Sequence, residues 1–150
     1  MLLAACGSTA ATAPPARSEP DREWVDNARS FIGTLDSDVL MSTVGGANLA
    51  SARRALSDES DIYTMLVAYD LFGDCGPAIA NLGAPSRRVA QVVQTLISVC
   101  GRLENASTLF ERAMSRHDAY PLLAASRMVL TATPLLSRAS SELAALRVDA

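Results

Sequence analysis

From residue 89 onward the chain places Val89, Val93, Leu96, Cys100, Leu103, Ser107, Phe110 and Met114 at alternating intervals of four and three residues. That spacing lines up one stripe of an α-helix but scatters over both faces of a strand, so it excludes β-structure for the region. Val92, Val99, Ala106 and Ala113 widen the stripe, which suits a helix facing a bundle core rather than a single partner. The spacing predicts a helix over 86–117, about 48 Å long at ~1.5 Å per residue. A second stripe of the same kind runs through Leu122, Ala125, Val129, Ala132, Leu136, Ala139, Leu143 and Leu146, after a Pro121 that suits a first helical turn. Pro134 lies inside it. The apolar phase survives across Pro134, so a kinked helix is expected. A split, with Thr133 capping the second half, is the alternative.

Upstream, Ser18-Glu19-Pro20-Asp21 reads as a helix start, followed by Trp24, Val25, Ala28, Phe31, Ile32 and Leu35 at helical spacing. Gly33 and Asp36-Ser37-Asp38 are expected to weaken or break that helix, and Gly45-Gly46 to stop it. Asn48 to Leu56 reads as a short helix at most. Ser57 to Asp61 offers N-cap residues for a helix carrying Ile62, Leu66, Tyr69 and Phe72 and ending near Gly73. Asp74 to Pro77 reads as a turn, and Ala78 to Leu82 as one more helical turn. Strand alternation and 20–50-residue repeats are absent from the sequence. The expected fold is an all-α, up-down bundle of about four main helices, the last kinked at Pro134.

With 49% apolar and 19% charged residues, the 150-residue chain is no disordered polyelectrolyte, and its length suits one domain. Its net charge of −3 offers no global field for nucleic acid. All 13 basic residues are Arg, spread along the chain. That is the mark of a GC-rich genome rather than of an anion-binding cluster.

The chain opens Met1-Leu2-Leu3-Ala4-Ala5-Cys6. Leu3-Ala4-Ala5-Cys6 resembles the lipobox of bacterial lipoproteins, which implies cleavage before Cys6 and acylation of that residue. Residues 1–5 are then the remnant of a signal peptide. Residues 7–18 are small, polar and Pro-containing, a tether that spans on the order of 20 Å as a coil. The folded domain is expected from residue 19 to 150. Together with the Arg and Ala bias and the run Leu71-Phe72-Gly73-Asp74-Cys75, this start resembles small actinobacterial lipoproteins. The resemblance implies a place in the cell envelope, anchored in the bilayer through Cys6 and facing outside the cytoplasm. It implies no activity.

In an exported domain, Cys75 and Cys100 read as a disulfide, with two buried free thiols as the alternative. A simple hairpin about Gly83 sets the two cysteines about 13 Å apart in depth, too far for a bridge. A break at Gly76-Pro77 that folds residues 76–85 across the bundle end brings them together.

His117 falls in the last turn of a long helix, where a cation complements the helix dipole. With no second His or suitably spaced Cys, it points to no metal site. Arg87 and Arg88 occupy the first turn of their helix, where the dipole disfavours cations, and are candidates for contact with an anion or a partner. Solvated charge beside an acid is the alternative. Asp58, Glu59 and Asp61 lack the register of a calcium loop and read as caps. If buried, Asp70 needs a partner such as an Arg. Motifs for phosphate, dinucleotide or zinc binding and the Gly-x-Ser-x-Gly elbow are missing from the sequence, and no cofactor is expected. The expected function is a non-enzymatic, partner-binding or accessory module of the envelope. The alternative is a carrier of a small apolar ligand within the bundle.

Overall fold

A computed structural model describes residues 19–146. They form four long helices, α1 (Glu19–Ser42), α3 (Glu59–Gly73), α5 (Ala90–Arg116) and α6 (Ala119–Ala145). Two short ones, α2 (Leu49–Ala55) and α4 (Cys75–Ala80), lie between them, with single 3-10 turns at Thr43–Gly45 and Arg87–Val89. No strand occurs among the described residues. The fold is an all-α bundle.

The α5–α6 hairpin is its frame, joined by the most extensive helix–helix interface among the described residues. Every stripe residue of α5 is buried except Val93 and Met114, which pack partly buried against the core. On α6 the stripe is buried from Leu122 to Leu143, with Leu146 half-buried. The turn between the helices is only His117 and Asp118. His117 ends α5 in the left-handed conformation (φ 51°), and the Asp118 carboxylate caps α6 by accepting from the Tyr120 N–H at 3.0 Å. At the far end, Glu142 accepts from Thr95 Oγ1 at 2.8 Å, Gln91 Nε2 at 3.1 Å and Arg138 Nε at 2.8 Å. Burial raises the Glu142 carboxyl, but these donors and the Arg138 charge outweigh it and hold the group below the ordinary carboxylate range. α6 is continuous through Pro134. The missing N–H is absorbed because Ala132, Leu136 and Ala139 stay buried on either side of it.

Three local expectations are corrected. α1 runs unbroken past Gly33 and Asp36–Asp38 to Ser42. A side chain added at Gly33 would meet nothing, so that glycine costs only its propensity of about 1 kcal/mol. Burial of Ile32, Leu35 and Ser42 on the inward stripe carries the helix through. The long helix expected over 86–117 begins as a 3-10 turn, with Ser86 Oγ accepting from the Arg88 N–H, and becomes α-helical at Ala90. The expected turn over Asp74 to Pro77 shrinks to Asp74 alone, and Cys75 to Pro77 begin α4, where Pro77 sits in the first turn and needs no N–H partner.

The stop at Gly45-Gly46 is where it was expected. Gly46 has φ 83°, and a Cβ on buried Gly45 would stand 2.8 Å from Ser126 Oγ and 3.2 Å from Leu122 Cδ1. The chain therefore passes tightly under α6 at this point.

Candidate functional site

α3 differs from the other long helices. Nine of its fifteen residues, among them Tyr63, Met65, Leu66, Val67, Tyr69 and Leu71, are apolar, and they surround the helix. Periodicity cannot choose an inner face from such a sequence, and the expected core set of Ile62, Leu66, Tyr69 and Phe72 is only half right. Met65, Ala68, Tyr69 and Phe72 are buried, Ile62 is half-buried, and Leu66 faces out. The inner set is fixed by aromatic packing. Tyr69 stacks on Phe110 of α5 with centroids 4.4 Å apart and meets Phe72 edge-on at 5.3 Å. The Ser107 hydroxyl donates to the Tyr69 carbonyl at 2.8 Å.

With that face turned inward, Tyr63 is left 70% exposed, Leu66 45%, Val67 37% and Leu71 44%. At spacings of three, four and eight from Tyr63 they share one helix face. Asp70 lies on the same face, exposed, with Glu59 and Asp74 at its two ends. Two surface grooves flank it. One, of about 790 Å³, is lined by Asp58, Glu59, Ser60, Ile62, Tyr63 and Leu66. The other, of about 350 Å³, lies between α3 and α5 and includes Leu66, Asp70, Gly73, Asp74, Phe110 and Glu111.

The end of this face is fastened to α5 twice. Cys75 and Cys100 form a disulfide with Cα atoms 5.1 Å apart. One turn further along α5, Glu104 Oε1 accepts from the Gly76 N–H at 2.7 Å. As residue number rises from Tyr69 to Gly76, the partner on α5 falls from Ser107 to Cys100 and Glu104, so α3 and α4 descend antiparallel to α5. The break that the bridge requires falls at Asp74, between α3 and α4, two residues ahead of the expected Gly76-Pro77.

The other sequence candidates do not gather around α3. Arg87 and Arg88 are exposed and meet no carboxylate of the described residues within ion-pair distance. Arg53, Arg116 and His117 line a separate groove of about 570 Å³ with Leu56, Ser57, Asp118 and Tyr120, at the C-terminal ends of α2 and α5. Cations are expected at such carbonyl-rich ends. Asp58 caps α3, accepting from the Asp61 N–H at 3.0 Å. Asp70 is solvated, so the buried ion pair it would have required does not arise. Cys6 and the tether lie outside the described residues.

Among the described residues, the buried atoms Asp38 Oδ2, Tyr69 Oη and Ser126 Oγ have no hydrogen-bond partner of good geometry. Burial raises the Asp38 carboxyl above its usual 3.8. It pushes the Tyr69 hydroxyl up to about 12, with the neighbouring Ser126 hydroxyl working against the rise. Among the described residues no three His, Cys, Asp or Glu side chains stand where they could hold a metal ion, and no helix is long and apolar enough to cross a membrane.

Among the described residues, fold and surface together define a helical bundle with one disulfide and, on α3, an apolar helix face left uncovered. No known protein family matches the chain, and no curated protein or solved structure shows significant similarity to it.

Proposed function

We propose that this chain is an envelope lipoprotein, anchored in the bilayer through acylated Cys6, whose helical domain works by binding another protein rather than by catalysis. One observation carries the binding part: α3 is apolar all round, yet only its inner face is covered. A helix of that composition is normally buried on every side. Its outer residues are therefore expected to be covered when the protein is at work.

The anchor rests on the lipobox-like start and the tether composition, and the disulfide accords with an oxidising compartment. The non-enzymatic reading is supported by the scatter of the ionisable candidates. His117 and Asp70 lie exposed in different grooves, and the buried Asp38 has no basic partner at its unpaired oxygen.

Two measurements test this. The intact mass of the protein from its native host, before and after reduction, should show cleavage ahead of Cys6, added acyl chains and two thiols released only by reductant. An unlipidated chain sinks the anchor. A photo-crosslinking residue at position 63 should give a discrete adduct in the host that the same residue at exposed Ser98 does not. Silence across positions 63, 66 and 71 sinks the binding module.

A further inference from the structure

We infer that the outer face of α3 takes a cationic amphipathic helix of a partner protein, its apolar side laid on Tyr63, Leu66, Val67 and Leu71 and its basic side chains on the carboxylates around them. This rests on the binding-module reading and names the partner's chemistry.

The charge distribution carries the inference. Between Arg54 and Arg87 the chain has five acids and no base, so this stretch is −5 while the rest of the chain is 11 acids against 13 bases, or +2. The whole negative balance of the protein is concentrated in and beside α3. Asp58 and Glu59 stand at one end of the apolar stripe, Asp70 within it, Asp74 at the other end, and Glu111 across the groove on α5. No arginine lines either groove. An apolar centre rimmed by one sign of charge selects a partner of the opposite sign and rejects its own.

Size and charge together separate the possible occupants. The stripe from Tyr63 to Leu71 covers about 12 Å, two helical turns, which matches helix-in-groove recognition through anchors at i, i+3 or i+4 and i+7. Its uncovered apolar area is on the order of 350 Å², less than half of the ~800 Å² per partner of a stable interface. The remainder must come from polar contacts at the rim. A second copy docked α3 to α3 brings five carboxylates against five in a symmetric contact and has too little apolar area to offset them. An anionic lipid surface is repelled for the same reason.

The test uses the full-length chain with its disulfide intact and two 18-residue synthetic helices of identical apolar pattern. One carries Arg and the other Glu at every polar position. Fluorescence anisotropy should show the Arg peptide binding at least tenfold more tightly than the Glu peptide. Tyr63→Ser/Leu71→Ser should weaken it at least tenfold even at 0.3 M salt, and Asp70→Asn/Glu111→Gln several-fold at 0.05 M salt. All substituted side chains are exposed, and circular dichroism checks that the fold is kept.

Equal binding of both peptides overturns the proposal, as does binding that ignores Tyr63→Ser/Leu71→Ser. Sedimentation that shows a dimer abolished by the same pair overturns it in favour of a second copy. Binding of phosphatidylglycerol vesicles that this pair abolishes overturns it in favour of lipid. If the adduct captured at position 63 proves to be an acidic or uncharged helix, the binding module stands and only the partner's chemistry is wrong.

Discussion

α5 and α3 lie side by side, share the Tyr69–Phe110 stack, and solve opposite problems. α5 puts its apolar side chains in one broad stripe, buries nearly all of it and offers solvent a polar back, with Ile97 its one large apolar residue outside. α3 is apolar on both sides and can bury only one of them in a bundle this size. The contrast separates two uses of hydrophobicity. On α5 it stabilises the fold, and on α3 half of it is in excess of what the fold needs.

The sharpest test of the contrast is to delete the same kind of side chain from each helix. Leu103 on α5 is fully buried, and Leu103→Ala should cost about 3–5 kcal/mol, seen as a large fall in the urea midpoint. Replacing Cys75 and Cys100 together by Ala, which frees the end of α3 from α5, should cost roughly 3–4 kcal/mol by loop-closure entropy, read in the same titration. Gly76→Ala forces the Glu104 carboxylate off the Gly76 N–H and should cost about 1–2 kcal/mol; Glu104→Gln, which can still accept, should cost less.

The pH dependence bears on the neighbouring α1. Because burial raises the Asp38 carboxyl, the folded protein holds that proton at pH values where the unfolded chain has already lost it. Stability therefore falls as pH rises from 3.8 through the folded value, and Asp38 costs stability at neutral pH. Asp38→Asn should raise the melting temperature at pH 7, with the gain shrinking as pH falls toward 3.8. Smallest of all, Leu66→Ser on the outer face of α3 should change stability by no more than about 0.5 kcal/mol. A loss of several kcal/mol there would mean that Leu66 belongs to the core and would break the comparison.

How much could be read in the sequence follows the same division. The α5 and α6 stripes were legible because their apolar residues recur with one phase over seven turns, which leaves a single inward face. The bridge was legible once a break near Gly76 was allowed. α3 was not, because Leu66 and Met65 are adjacent and both apolar, about 100° apart around the helix, and either could be the one turned inward. Only the seating of Tyr69 on Phe110 decides between them, and that contact is 41 residues away along the chain. The persistence of α1 through Asp36–Asp38 was hidden likewise, since local propensity argues for a break and tertiary burial overrules it. The outer face of α3 left one trace, a helix too uniformly apolar for a chain this short, set in a stretch with five acids and no base.

The Cys75–Cys100 bridge also encloses the connection at residues 83–86, which has no regular structure and is exposed from Gly83 to Pro85. Such a segment is the natural place for a peptidase to cut. A cut there yields two polypeptides but only one particle. The fragment bearing α1 to α4 stays tied to the fragment bearing α5 and α6 by the disulfide and by the packing between them. If the domain is anchored at a surface as proposed, nicking does not become shedding. Without reductant the clipped protein weighs one water more than the intact chain, and it separates into halves only when the bridge is reduced.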